Sequence, residues 1–265
     1  MTADSGKQHG GREKLVIGTR GSQLALWQTN FIKSRLSAAA PHLTIEVTTI
    51  RTTGDKILDS PLSKIGDKGL FTKEIEQHLL DGSIDLAVHS LKDIPTQIPP
   101  GLLLGAVTER EDVRDAFLAH PRKSHTNIGN LPRGAKIATG SLRRKCQLLA
   151  FRPDFEIIDL RGNLNTRLEK LEQSDWDGTI LAKAGVARLG WESKITELLP
   201  FEVMLPAVGQ GALAVEMRED DKRVAELLKP LHHEATAIAT NAERALLRRL
   251  EGGCQVPIGT YGRIE

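Results

Sequence analysis

Acidic and basic side chains directly follow one apolar segment of the chain. The predicted strand 84–88 is followed within five positions by His89, Ser90, Lys92 and Asp93. Ligands of α/β proteins bind at the carboxyl ends of the strands, and a carboxyl group placed there can transfer protons. Asp93 is therefore a candidate general acid and base, if its pKa is raised or a cationic intermediate lies beside it. The alternative is an ordinary polar loop with a surface Lys–Asp pair, which stabilises little.

A set of cationic side chains forms a second candidate site. Most of them lie at the end of a predicted strand or in the first turn of the next helix, and one lies in the glycine-flanked run 66–69. They are Arg20, Lys68, Arg143, Arg144, Arg161, Arg167 and Arg188. The guanidinium fork suits carboxylates and phosphates. Any single arginine is better explained as a solvated surface residue, whereas the recurring position favours an anion-binding cleft.

Two similar turns connect a strand to a helix. Residues 19–22 read Thr-Arg-Gly-Ser and residues 139–141 read Thr-Gly-Ser. Ser22 and Ser141 are predicted N-caps, as is Asn163 further along. Because helix N-termini favour anions, two such turns predict a cleft that holds an anion from both sides.

The two cysteines differ in their surroundings. Cys254 follows two glycines after a predicted helix over residues 235–250, so we expect an exposed loop cysteine capable of thiolate chemistry or covalent attachment. The alternative is a small buried hydrophobic residue. That alternative fits Cys146 better, because it lies in an apolar helical stretch. Two cysteines exclude a disulfide framework and a structural zinc site, and no metal site is predicted.

Composition restricts the class of protein. The chain has 265 residues, 40% of them hydrophobic, and its 36 basic and 34 acidic residues leave a net charge of +2. That length suits two domains or more, and the small charge argues against a nucleic-acid coat or a membrane anchor. No run approaches the ~18 apolar residues of a membrane span. We expect a cytoplasmic protein with a disordered lead-in over residues 1–13.

Short β-branched runs alternate with helix-like stretches, which indicates an α/β fold. The helix over residues 235–250 aligns Ile238, Ala242 and Leu246 on one face. Gly209-Gln210-Gly211 is not a dinucleotide-binding fingerprint, because it lacks the third glycine and the strand-to-helix context.

Eight runs, in order along the chain, resemble the porphobilinogen deaminase (hydroxymethylbilane synthase) family. They are residues 18–25 (Gly-Thr-Arg-Gly-Ser-Gln-Leu-Ala), 52–55 (Thr-Thr-Gly-Asp), 68–74 (Lys-Gly-Leu-Phe-Thr-Lys-Glu), 88–93 (Val-His-Ser-Leu-Lys-Asp), 141–144 (Ser-Leu-Arg-Arg), 160–163 (Leu-Arg-Gly-Asn), 205–211 (Leu-Pro-Ala-Val-Gly-Gln-Gly) and 251–254 (Glu-Gly-Gly-Cys). The resemblance extends from about residue 15 to the end.

The resemblance implies a transferase of haem and other tetrapyrrole biosynthesis. Such an enzyme joins four porphobilinogen molecules head to tail into hydroxymethylbilane and releases ammonia. A dipyrromethane cofactor would be thioether-linked to Cys254. The implied fold has two lobes like those of type II periplasmic binding proteins and a third α/β domain that carries the cysteine. We expect a monomer with domain 1 over residues 14–109, returning at about 207–229, domain 2 over 115–205 and domain 3 from 230, incomplete at 265.

The resemblance also assigns roles to the candidate residues. Asp93 would be the catalytic acid and base. The implied cofactor-binding residues are Cys254, Lys92, Ser90, Arg143, Arg144, Ser141, Arg161 and Gln210. The implied substrate-binding residues are Arg20, Ser22, Lys68, Phe71, Arg167 and Arg188. The competing hypothesis is a non-catalytic two-lobed anion-binding protein, which needs neither Asp93 nor Cys254.

Overall fold

A computed structural model of the chain describes residues 14–56, 69–125, 127–250 and 256–265. The predicted lead-in, Lys68 and Cys254 lie outside the described residues. In chain order the elements are β1 (Lys14–Thr19), α1 (Gln23–Ala39), β2 (Thr44–Thr49), α2 (Thr53–Lys56), α3 (Lys73–Leu80), β3 (Leu86–Ser90), β4 (Leu102–Val107), β5 (Asp115–Ala119), β6 (Lys136–Ala138), α4 (Leu142–Phe151), β7 (Glu156–Ile158), α5 (Leu164–Gln173), β8 (Gly178–Ala182), α6 (Lys183–Arg188), β9 (Glu197–Leu198), β10 (Leu213–Arg218), α7 (Lys222–Leu228) and α8 (Glu234–Arg249).

The first lobe is built on a sheet of strand order β2-β1-β3-β10-β4. The strands β2, β1 and β3 are parallel, and β10 runs antiparallel to both of its neighbours. Leu15, Ile17 and Leu86 are fully buried, as expected where helices cover both faces of a sheet. Ser22 begins α1 as its N-cap, because its Oγ accepts a hydrogen bond from the N–H of Ala25 at 3.2 Å.

The second lobe repeats this arrangement with the strand order β7-β6-β8-β5-β9. Here β7, β6 and β8 are parallel, and β5 runs antiparallel to β8 and β9. Its core is centred on Phe117, Ile137 and Leu148, none of which is exposed. The predicted two-lobed α/β fold is confirmed.

The chain passes between the lobes twice. It leaves the first lobe after β4 and enters the second at β5, and it returns to the first sheet as β10. The two connections lie side by side in the second lobe, since the N–H of Leu199 donates to the carbonyl of Asp115 at 2.9 Å. Residues on these connections therefore lie between the lobes.

The C-terminal helix α8 packs on the first lobe through a face of small and polar residues. Ala237, Thr240 and Glu243 are buried, whereas Ile238 and Leu246 of the predicted apolar face are about half exposed. Small side chains let α8 approach the lobe closely enough to use its polar groups, so apolar alignment does not mark the buried face here. No helix in the described ranges has the length and apolarity needed to cross a membrane.

Candidate active site

Lys92 and Asp93 are held at the carboxyl end of β3 by a short turn. A single 3-10 turn covers Leu91–Asp93, and the N–H of Leu91 donates to the carbonyl of Ala212 at 3.0 Å. Leu91 is buried. The apolar side chain therefore anchors the turn and leaves the two charged neighbours at the edge of the sheet.

A pocket at this edge brings together five of the residues predicted from the sequence. It is lined by Arg20, Ser22, Phe71, Ser90 and Asp93, among others. Two parallel strands contribute to it, because Arg20 follows β1 and Ser90 ends β3. The Oγ of Ser90 accepts a hydrogen bond from Gln28 Nε2 at 2.9 Å, which holds these two lining side chains together.

Arg20 pairs with an acid that the sequence analysis did not select. Its guanidinium donates from both Nε and Nη2 to the carboxylate of Asp55. Burial alone would raise the pKa of Asp55, but hydrogen bonds and charge from Arg20, with further hydrogen bonds from Thr52, lower that pKa below its usual value. Arg20 also lies over the ring of Phe71, 4.2 Å from the ring centre. Arg20 is thus positioned in the pocket by an ion pair and an aromatic face.

The run Thr52-Thr53-Gly54-Asp55 has a steric reason for its glycine. A Cβ atom on Gly54 would overlap the ring of Phe71. The N–H of Gly54 also donates to the carbonyl of Leu70 at 2.8 Å. This close approach brings Phe71 over Arg20.

On the second lobe, Arg143 and Arg144 both bind one buried acid. Asp115 is fully buried at the start of β5, and it accepts from Arg143 Nη1 at 2.8 Å and from Arg144 Nη2 at 2.7 Å. Burial alone would raise the pKa of Asp115, but the charges of the two arginines hold it well below its usual range. Ser141 is the N-cap of α4, as predicted, and accepts from the N–H of Arg144.

Gln210 connects the two lobes. Its Nε2 donates to Asp115 Oδ1 at 2.9 Å and to the carbonyl of Val113 at 2.7 Å, and its Oε1 accepts from Lys92 Nζ at 3.3 Å. Burial lowers the pKa of Lys92 to about 8, with Asp93 opposing that effect and Arg144 adding to it. Lys92, whose pKa is lowered, therefore lies between Asp93 of the first lobe and Arg143 and Arg144 of the second.

Three further arginines surround this centre. Burial lowers the pKa of Arg167 to about 10, the charge of Arg144 adds to the decrease, and the charge of Asp93 opposes it. Arg161 is buried at the end of a neighbouring strand. Arg188 lies between the lobes, where it donates to the carbonyl of Gly211 at 2.5 Å and lies 6.0 Å from the ring centre of Trp27. The predicted cationic cleft thus has members on both lobes.

The turn that carries Gln210 requires both of its glycines. Gly209 has φ 71° and Gly211 has φ 95°, a region that favours glycine. A Cβ atom on Gly209 would lie 2.8 Å from Leu91 Cγ, and one on Gly211 would lie 2.5 Å from the carbonyl oxygen of Glu111. The run is therefore a tight turn that brings Gln210 to the cleft.

One prediction about the cysteines is wrong. Cys146 is exposed, although we expected it to be packed. The buried face of α4 consists of Arg143, Arg144 and Leu148. Cys146 lies two residues from the last two, on the opposite side of the helix. The sequence does not reveal this, because two arginines here take the place of apolar residues on the buried face.

The comparisons with known proteins match most of the chain to one family. The family model described as porphobilinogen deaminase, dipyromethane cofactor binding domain, matches residues 15–226, and the model of the C-terminal domain of the same enzyme matches residues 237–265. The chain belongs to the porphobilinogen deaminase family. The predicted activity is confirmed at that level: the protein is a hydroxymethylbilane synthase, a transferase of tetrapyrrole biosynthesis with a dipyrromethane cofactor.

Relatives with this activity cover most of the chain. Porphobilinogen deaminase of Chlorobium phaeobacteroides (strain BS1) is 56% identical over 254 residues, which are 96% of this chain and 80% of that protein. The enzyme of Desulforamulus reducens is 54% identical over 254 residues, or 96% and 81% of the two chains. These relatives do not favour the alternative of a non-catalytic anion-binding protein.

Solved structures resemble the chain at low sequence identity. Full-length CbnR, in complex with target DNA, has a TM-score of 0.50 at 11% identity over 84% of this chain and 70% of that chain. The probable amino-acid ABC transporter extracellular-binding protein ytmK from Bacillus subtilis has a TM-score of 0.48 at 12% identity, over 88% and 96% of the two chains. At such identities the similarity concerns the fold alone.

The donor set of the cleft fits a dipyrromethane, whose pyrroles carry acetate and propionate groups. Arg144 Nε is buried and has no hydrogen-bond partner among the described residues. It lies in a centre that also contains Arg143, Arg167 and Lys92. A buried N–H without an acceptor is unfavourable, and a ligand carboxylate would provide one.

Proposed function

We propose that Asp93 is the acid and base of the condensation. It is the carboxylate that lines the pocket at the end of β3, next to Phe71 and Arg20. Its charge favours the protonated forms of Lys92 and Arg167, so both cations lie near it. The location of one carboxylate in this cationic pocket is the observation that carries the proposal.

The proton balance of each condensation suits such a group. Protonated Asp93 gives its proton to the amine of the substrate, the carbon–nitrogen bond breaks, and ammonia leaves. A new carbon–carbon bond joins the methylene carbon of this substrate to the last pyrrole of the growing chain. The ring carbon that forms the bond then releases its proton to the Asp93 carboxylate. The carboxylate also stabilises the positive charge that exists between these two transfers. Bound dipyrromethane supplies the pyrrole to which the first substrate is joined.

We propose that the arginines bind the carboxylates of cofactor and substrate. On the cofactor side the residues are Lys92, Ser90, Ser141, Gln210, Arg143, Arg144 and Arg161. On the substrate side they are Arg20, Ser22, Lys68, Phe71, Arg167 and Arg188. The fork geometry of Arg and the partial positive charge at the N-terminus of α4 both favour carboxylates. Arg20 would exchange part of its bond with Asp55 for a substrate carboxylate.

We propose that Cys254 carries the cofactor. We also propose three domains: domain 1 covers residues 14–109 and 207–229, domain 2 covers residues 115–205, and domain 3 begins near residue 230. Helix α8 supports this, because its Glu243 accepts from the N–H of Gly209 at 2.7 Å and so joins the C-terminal part of the chain to the turn that carries Gln210. We further propose a monomer in the cytoplasm. One chain supplies both walls of the cleft, and its two cysteines fit a reducing compartment.

The test is Asp93→Asn in the full chain, with Asp220→Asn as a control for loss of an exposed acid. We expect a loss of turnover of ~10²–10⁴-fold for the first variant and none for the second. Intact mass and circular dichroism would show whether the cofactor and the fold are retained. More than about a tenth of the normal rate in Asp93→Asn would contradict the assignment.

A further inference from the structure

Asp115 is a buried acid to which the family resemblance gave no role. It accepts three side-chain hydrogen bonds, from Arg143 and Arg144 on α4 and from Gln210 on the returning connection. Its Oδ2 takes the bond from Arg143, and its Oδ1 takes the other two. The carboxylate is fully buried, so these donors replace all of its hydration.

The two arginines depend on this acid for their orientation. Arg143 Nη1 also donates to the carbonyl of Leu205 at 2.5 Å, and Arg144 Nη1 donates to the carbonyl of Ile180 at 2.8 Å. Each guanidinium is thus fixed between Asp115 and a backbone oxygen. Two buried cations side by side repel each other, and a single shared carboxylate compensates part of that repulsion.

The amide of Gln210 transmits this arrangement to Lys92. Its Nε2 faces two acceptors, the carbonyl of Val113 and Asp115 Oδ1, so the nitrogen must point to the second lobe. The orientation of the amide is therefore determined by its partners, and its oxygen is turned towards Lys92 Nζ.

We propose that Asp115 is a positioning residue that holds Arg143 and Arg144 in their ligand-binding orientation and, through Gln210, holds Lys92 beside Asp93. The inference rests on the proposed binding roles of these cations. The carboxylate-binding arginines and the charge of Lys92 are then coupled. A carboxylate bound by Arg143 and Arg144 favours the charged form of Lys92, and loss of Asp115 disfavours that form.

Four charged groups act on Lys92, from its own turn, from the start of β5 and from α4. Asp93 and Asp115 raise its pKa, whereas Arg143 and Arg144 lower it. The substitution Asp115→Asn removes one of these two negative charges and leaves both positive ones. Substitution of Asp115 should therefore lower the pKa of Lys92 further.

The experiment is competitive acetylation of the full chain with trace acetic anhydride at a series of pH values. Peptide mapping gives the pKa of Lys92 without any need for turnover. The variants are Asp115→Asn and Gln210→Met. The matched control is Asp177→Asn, which removes another buried carboxylate of the second lobe, one that pairs with Lys123 at the opposite end of the β5–β8 pair.

We expect Asp115→Asn to lower the pKa of Lys92 and to reduce the fraction of protein that carries dipyrromethane by intact mass. Asp177→Asn should change neither, although it too removes the charge of a buried carboxylate that has a cationic partner. Gln210→Met should lower kcat and the pKa of Lys92. Because Arg143 and Arg144 keep their bonds to Asp115 in this variant, its cofactor fraction should fall less than that of Asp115→Asn.

An unchanged pKa of Lys92 in folded Asp115→Asn would overturn the proposal. If Asp115→Asn does not fold, Gln210→Met decides, and an unchanged pKa of Lys92 in that variant would have the same consequence. Because labelling requires no catalysis, a failure of the acid and base role of Asp93 is recognised separately, by turnover of the Asp93→Asn variant.

Discussion

Glu243 accepts a hydrogen bond from the backbone N–H of Gly209, with 2.7 Å between the two heavy atoms. The same carboxylate accepts from Arg110 on both oxygens, at 2.7 and 3.1 Å, and from the N–H of Gly262. Arg110 in turn donates to the carbonyl of Gln210 at 2.8 Å. A single buried acid on α8 therefore fixes the turn that carries Gln210 into the cleft.

Glu243→Ala should destabilise the protein strongly. The substitution leaves Arg110 buried without its partner, which costs ~3–5 kcal/mol for a broken buried pair. Urea unfolding measures the loss. The control is Glu226→Ala, whose pair with Lys229 is exposed and is worth at most ~1 kcal/mol. Similar losses in the two variants would contradict a buried role for Glu243.

Gly209→Ala should impair both stability and turnover. Alanine must adopt a φ of 71°, and its Cβ would meet the side chain of Leu91, which anchors the turn with Lys92 and Asp93. Gly190 has the same φ but no atom within 4 Å of an added Cβ. Gly190→Ala should therefore cost only ~1–2 kcal/mol of stability, with kcat unchanged. Equal effects on kcat would refute the steric explanation.

Lys92→Met should stabilise the folded protein near neutral pH. Burial lowers the pKa of Lys92 from 10.5 to about 8, so between these values the unfolded chain binds a proton that the folded chain has released. Stability from this group consequently rises with pH across that window, and the full cost of burying the charge is present below it. The gain in urea midpoint should be larger at about pH 7 than at about pH 10.

The control for that experiment is Lys222→Met, which removes an exposed lysine. It should give the same small change at both pH values. A gain for Lys92→Met that does not depend on pH would show that packing of the methionine, and not removal of a buried charge, is responsible.

The two cysteines should respond differently to substitution by serine. Cys146 is exposed, so Cys146→Ser should change stability by less than ~0.5 kcal/mol and retain the pyrrole adduct. Cys254→Ser should fold and lack the thioether-linked cofactor. Intact mass and peptide mapping would decide, and an adduct on the Cys146 peptide would overturn the assignment of Cys254.

Features that depend on neighbours in the chain could be predicted from the sequence. Ser22, Ser141 and Asn163 are N-caps, as predicted, because each cap bonds an N–H three residues ahead. The two-lobed α/β fold followed from the order of strands and helices and from the family motifs.

Partners that are distant in the sequence could not be predicted in this way. Asp115 lies 28 and 29 residues before the arginines it binds and 95 before Gln210. Nothing local distinguishes it from other acids at the start of a strand. Asp55 and Glu243 were missed for the same reason, since their ion pairs exist only once the strands and α8 have been brought together.

The chain enters and leaves the second lobe at neighbouring points, so this lobe can be exchanged between relatives as one segment of the gene. Residues 115–205 are encoded by one uninterrupted segment, and its two ends lie close together, because the N–H of Leu199 donates to the carbonyl of Asp115. A chimaera that takes this segment from a relative keeps every crossing in place and exchanges one wall of the cleft as a unit. The first lobe offers no such segment, because β10 is encoded after the second lobe, so its wall can be exchanged only by two coordinated recombination events.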